Sequence, residues 1–257
     1  MNPFLRNHHY ATFLKILLVI KKEMPTIKEL EQKSPKECWS KVDYTWHYLG
    51  LYVARPLLKT SITPNQVTVF WIALELLAAV LLLGSYWHRI SALIITNFIV
   101  NLLDFTDGNI ARIKGPKTLL GIYLDHLGLF VGMPLVMLFL GVGLWIREEN
   151  LLALLLGGVC CLAMLYEKVL SVNPAWYNSA QWLQLQGIYR ASSLSKKNIF
   201  SYCSELFRKT QPFNVFFFGI IFDRLMMMLW IYTIISILAM LRKLVSQVLA
   251  IRRTDAL

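Results

Sequence analysis

Residues 102–115 read LLDFTDGNIARIKG and close a long apolar run. Asp104 and Asp107 stand at i and i+3, so one helix face carries both carboxylates. Asp125 follows beyond a short connection, and Glu75 lies in the apolar run before. Carboxylates inside a membrane are costly unless they are solvated, paired or bound to a cation. Counting back from Arg112 at 1.5 Å per residue, Asp104 lies roughly 12 Å below the membrane surface. Asp125 lies roughly 12 Å in from the same side. Three carboxylates therefore converge at one depth, where they repel one another. Arg112 is the nearby fixed positive charge, and it is needed at the mouth. One or two divalent cations balance the cluster most simply. Oxygen-only ligands favour Mg²⁺, Mn²⁺ or Ca²⁺ over zinc. Two such ions suit the binding and activation of a diphosphate. An ion or proton pathway, or polar packing between helices, explains the same carboxylates. Gly108, Ala111 and Gly121 have minimal side chains that leave room for a flat, large group. Small residues also serve close helix packing in membranes.

The elements that must hold these residues are membrane helices. Of the 257 residues, 56% are hydrophobic and 16% charged, and the mean hydropathy is +0.52. Several runs approach the ~20 apolar residues that cross a bilayer. They are continuous and not alternating, which excludes a β-barrel. The reading is an all-α polytopic membrane protein with six transmembrane helices. The spans fall at 66–86, 90–113, 117–145 and 150–170, with a short fifth and a sixth in the apolar stretch 212–241. Asp223-Arg224 divides those last two, and Thr63-Pro64-Asn65 marks the start of the first. With the N-terminus inside, six crossings put only Arg89, Arg147 and Arg224 on the far side. The rest of the 26 Lys and Arg then face the cytoplasm, as the positive-inside rule asks. Five crossings would send the basic C-terminus outward.

Residues 1–62 form an N-terminal cytoplasmic or interfacial segment, 63–248 the six-helix domain and 249–257 a cytoplasmic tail. Within the first, ATFLKILLVI at 11–20 is short and interrupted by Lys15. It lacks a small-residue cleavage site and reads as an amphipathic surface helix, not a signal peptide. Tyr44 to Leu58 forms a second interfacial helix. The cytoplasmic loop 171–211 carries Trp176, Trp182 and Tyr189 as interface anchors. Cys38, Cys160, Cys161 and Cys203 show no disulfide or zinc spacing. The net charge of +11 suits anionic headgroups. No basic patch lies in a nucleic-acid module, so nucleic acid is excluded as a partner.

Asp104-x2-Asp107-Gly108-x2-Ala111-Arg112-x8-Gly121-x3-Asp125 resembles the signature of the CDP-alcohol phosphotransferases, D-x2-D-G-x2-A-R-x8-G-x3-D-x3-D. The lead-in Ile62 to Thr68 also resembles the segment before that family's first helix. The resemblance covers roughly 45–245. It implies six helices in a homodimer, with a site open to the cytoplasm between the second and third. A CDP-alcohol donor binds there, its diphosphate on two Mg²⁺ or Mn²⁺ ions. A lipid or small-molecule hydroxyl attacks the β-phosphorus, and CMP leaves. By position, Asp104, Asp107 and Asp125 would ligate metal. Gly108, Ala111 and Gly121 would admit the cytidine, and Arg112 would hold the donor or the acidic cluster. Asn65 and Thr68 would line the donor pocket.

One position departs: the family's fourth Asp falls at 129, which is Leu129. His126 and Glu75 are the replacement candidates for base or ligand. His126 follows the third Asp, as in the choline and ethanolamine branch, and neutral imidazole suits a base near pH 7. It also reads as a packing histidine. Glu75 lies about ten residues into its helix, roughly 15 Å deep, and also reads as an interhelical hydrogen-bonding residue. The main expectation is a transferase in phospholipid or related phosphodiester synthesis, in a bacterial cytoplasmic membrane with both termini inside. A non-catalytic CDP- or metal-binding subunit is the alternative.

Overall fold

The computed structural model describes residues 25–36, 38, 40–115, 118–172 and 212–255, and among these every regular element is helical. The expected surface helix at 11–20 and the aromatic anchors of the 171–211 loop lie outside the described residues.

Two helices precede the membrane domain. Helix α1, Ile27–Lys33, begins at a capping box between Thr26 and Glu29. Helix α2, Lys41–Leu57, is capped by Ser40. It buries polar Asp43 and His47 and exposes Tyr44, Leu49 and Tyr52, a pattern suited to an interfacial helix. Helix α3, Pro64–Leu81, starts where Thr63 and Gln66 form a reciprocal capping box with Pro64 in the first turn. It ends before the expected 86, because Leu82 to Gly84 turn the chain.

Helix α4, Tyr86–Lys114, returns to the side where α3 began. It contains a π-helical stretch, Ile95–Val100, of the kind that often marks a functional helix. Its last part, Asn101–Lys114, buries Asn101, Thr106, Asp107 and Asn109. Helix α5, Leu119–Glu148, is capped by Thr118 and kinked at Gly132. Pro134 causes that kink by removing a backbone donor and crowding the preceding turn. The bend separates the half that meets α3 and α4 near Asp125 from the half that packs in the core. Helix α6 is Leu151–Val172, α7 is Val215–Ile221 and α8 is Leu225–Asp255.

Among the described residues, five helices are long and apolar enough to cross a membrane: α3, α4, α5, α6 and Leu225–Leu249 of α8. The expected short fifth crossing appears only as α7, whose seven residues span about 10 Å. Its start lies at mid-height, where the Asn97 side chain donates to the Asn214 side chain (3.2 Å) and the Pro212 carbonyl (3.1 Å). Its end meets the far side, where Arg89 pairs with Asp223 at 2.7 Å. Gln247 donates to the Leu170 carbonyl at the opposite end. Leu170 and Asp223 thus stand at opposite ends of the bundle. Helix α8 continues well past 241, and most of the expected tail is helical.

The apolar core fills the far half, joining Leu82, Leu93, Met137, Leu140, Phe216 and Met228. Small residues bring α5 and α6 together there. A Cβ on Gly141 would sit 2.6 Å from the Ala153 carbonyl oxygen and 3.0 Å from the Gly157 Cα. Arg147 closes the far side by donating to the carbonyls of Leu82, Leu83 and Gly84. The polar half is left to the acidic motif.

Candidate active site

The start of α3, the end of α4 and the start of α5 enclose a cavity of about 340 Å³. That volume lies within the range of small-ligand sites. Asn65 and Thr68 line it from α3, Asp107, Gly108 and Ala111 from α4, and Gly121 and Asp125 from α5. These positions recur at helical spacing, so one face of each helix serves the cavity. Thr63, Lys114, Gly115 and Thr118 form its rim. Gly115 has φ +142°, which favours glycine in the turn between the two motif helices. A Cβ on Gly121 would meet Asn65 Oδ1 at 2.9 Å and Thr118 Oγ1 at 3.2 Å. Gly121 thus lets Asn65 and Thr118 approach across the cavity's wall, where their side chains meet at 3.5 Å.

Asp107 is 5% exposed. Its Oδ2 accepts hydrogen bonds from Thr68 Oγ1 at 2.6 Å and Trp71 Nε1 at 2.8 Å. Oδ1 carries neither bond. Asp104 and Asp125 both lie near enough to repel this carboxylate. Asp125 shares the cavity, whereas half-buried Asp104 does not line it. Trp71 is a partner that the motif does not contain. Its ring lies against Gly128, where even a Cβ would collide with it. A tryptophan buried in a membrane helix needs an acceptor for its N–H, and that requirement is the sequence signal for its role.

The Arg112 guanidinium is held by two neutral oxygens. Its Nε donates to Ser34 Oγ at 2.8 Å and its Nη2 to Asn109 Oδ1 at 2.7 Å. It acts on Asp107 electrostatically but makes no ion pair among the described residues. It is also not the lone cation at the cluster. Lys36 Nζ lies 3.8 Å from the Phe105 ring centroid and is attracted by Asp104. Lys114 reaches from the rim to the carbonyls of Thr60 and Ile62. Neither candidate base lines the cavity. Glu75 is 1% exposed within α3. His126 is half-buried, and its Nδ1 has no hydrogen-bond partner among the described residues. The Leu129 side chain lies outside what the structure describes.

Among the described residues, no three His, Cys, Asp or Glu side chains come together as a ready-made metal cage. The donors that face the cavity nevertheless fit a hard cation. They are two carboxylates, Asp107 and Asp125, with neutral oxygens from Asn65 and Thr68. Mg²⁺ is commonly held by one or two carboxylates while it keeps waters and binds substrate phosphates.

The family model described as CDP-alcohol phosphatidyltransferase matches residues 61–239. No curated protein matches the chain. The matched segment begins just before the α3 capping box and contains every residue that lines the cavity.

Proposed function

Because the chain belongs to the CDP-alcohol phosphatidyltransferase family, we propose that it transfers a substituted phosphate from a CDP-alcohol to a lipid or small-molecule hydroxyl. The observation that carries this reading is the meeting of Asp107 and Asp125 across a cavity whose walls include Gly108, Ala111 and Gly121. The cytidine lies along those walls, beside Asn65 and Thr68. Asp107 and Asp125 would hold Mg²⁺ or Mn²⁺, and Asp104 would join them for a second ion. A cation bound there would supply neutralisation of the charge that develops on the diphosphate.

The chain's own residues orient this chemistry. Thr68 and Trp71 fix the Asp107 carboxylate by its Oδ2. The acceptor oxygen forms a bond to the β-phosphorus, the bond from that phosphorus to the bridging oxygen breaks, and CMP departs. The acceptor proton passes to a carboxylate oxygen of Asp125, which lines the cavity. Leu129 supplies no carboxylate, and Glu75 and His126 stand off the cavity.

The same reading has six crossings, with the cavity and both termini on the cytoplasmic side of a bacterial inner membrane. The basic residues near the cavity rim support this orientation. A homodimer follows from the family resemblance. The second reading, a non-catalytic CDP- or metal-binding subunit, is favoured by Leu129 alone.

The test is product formation by purified protein offered a panel of CDP-alcohols and a crude lipid extract with Mg²⁺ or Mn²⁺. Glu75→Gln and His126→Ala should keep turnover, while Asp125→Asn should lose it. Loss of turnover in either of the first two, with the fold intact, contradicts the proton assignment. CDP binding without turnover on any donor selects the non-catalytic reading.

A further inference from the structure

The segment ahead of the family match reaches the motif through a closed ring of hydrogen bonds. Ser34 Oγ donates to Asn109 Oδ1 at 3.1 Å. Arg112 donates through Nε to Ser34 Oγ at 2.8 Å and through Nη2 to Asn109 Oδ1 at 2.7 Å. Asn109 Nδ2 donates in turn to the His47 carbonyl of α2 at 3.0 Å. Ser34 and Asn109 are both 0% exposed. The ring admits one arrangement of donors. Asn109 Oδ1 faces two donors, so the amide cannot be flipped. Ser34 Oγ receives from arginine, so its own proton must go to Asn109.

The ring lies beside the acidic cluster. A Cβ placed on Gly108 would be 3.3 Å from Arg112 Nη1 and 3.6 Å from Nη2, so the guanidinium covers that bare backbone. Asp107 is near enough to attract it. Arginine beside a part-buried carboxylate ordinarily forms a short, bidentate pair. Here it turns instead to two neutral oxygens. A guanidinium paired with Asp107 or Asp104 would compete with a divalent cation for those carboxylates.

We infer that Ser34 and Asn109 are positioning residues: they hold the Arg112 guanidinium off Asp107 and so keep that carboxylate available to a divalent cation. The N-terminal segment is then part of the working site, although it precedes the family match. The inference rests on the proposed transferase reading for its kinetic arm only.

Two measurements on the full-length, detergent-solubilised chain test it. One is direct Mn²⁺ binding with CDP present, read from loss of the free-ion electron paramagnetic resonance signal. The other is the Mn²⁺ dependence of CMP release. Ser34→Ala should raise the Mn²⁺ concentration for half-saturation about tenfold in both, the scale of a lost hydrogen bond to a charged group. The maximal rate should fall by a smaller factor, and Ser34→Thr should restore the Mn²⁺ dependence. In an Arg112→Gln background, Ser34→Ala should add nothing, because the two act as one unit. An unchanged half-saturation in Ser34→Ala overturns the inference. So does a shift that persists without Arg112, or a loss of melting temperature with Mn²⁺ affinity intact. If the wild-type chain binds Mn²⁺ but releases no CMP, the transferase reading fails. The binding arm then still decides the role of Ser34.

Discussion

Asp107 shows what fixes a carboxylate inside a membrane protein. It is almost fully buried, and two donors from α3 hold one of its oxygens. Trp71→Phe removes one donor and also withdraws the outer ring atoms that lie against Gly128. CMP release by this variant should drop by about tenfold to about a hundredfold, since one hydrogen bond to a charged group is worth on the order of 1.5–3 kcal/mol. Its melting temperature should also fall, because the smaller ring leaves a void beside Gly128. A rate equal to wild type would remove Trp71 from the positioning of Asp107. The motif spacing made Asp107, Gly108, Ala111, Gly121 and Asp125 legible in the sequence, because neighbours on a helix face follow from its period. Trp71, Ser34, Asn109 and Lys36 were not legible as a set, because contacts between separated segments bring them to the cluster. Arg112 was legible as a charge but not as a direction. Its partners are Ser34, from a distant segment, and Asn109, a turn away.

At the scale of elements, starts were easier to read than ends. Thr63-Pro64 sets the first residue of α3 by capping chemistry, whereas its end depends on how Leu82 to Gly84 meet Arg147 of α5. The division of 212–241 at Asp223-Arg224 is present, but α7 is shorter than a crossing. Helix α2 brings a testable property of its own. Burial pushes the His47 imidazole below the ordinary histidine value, and the positive charges of Arg112 and Lys36 push it the same way. Folded His47 therefore stays neutral where the unfolded chain takes up a proton. Its contribution is full above the ordinary pKa of about 6.5 and is lost as pH falls through the lower folded value. The melting temperature of the wild type should therefore fall more steeply than that of His47→Gln between about pH 7 and about pH 5.5. Parallel falls would exclude His47 as the source.

In the whole molecule, an apolar half and a polar half share one bundle. The core cluster of α3 to α8 occupies the far half, and the acidic cavity opens at the other end beside α1 and α2. Hydropathy and charge made this polarity legible. The shape of the cavity was not, because it depends on the Gly132 kink and the turn at Gly115. Cysteines introduced at Lys59 and Glu149, in a chain lacking its native thiols, should react from opposite faces of the membrane, with Lys59 on the cytoplasmic face. Labelling of both from one face would contradict the orientation. The most direct measurement is CMP release from a CDP-alcohol panel by the purified wild type and by Asp107→Asn, each with Mn²⁺ and with chelator. Mn²⁺-dependent release that is lost in Asp107→Asn is the expected result. Release that persists in that variant, or that ignores the chelator, would contradict a metal-assisted transferase centred on Asp107.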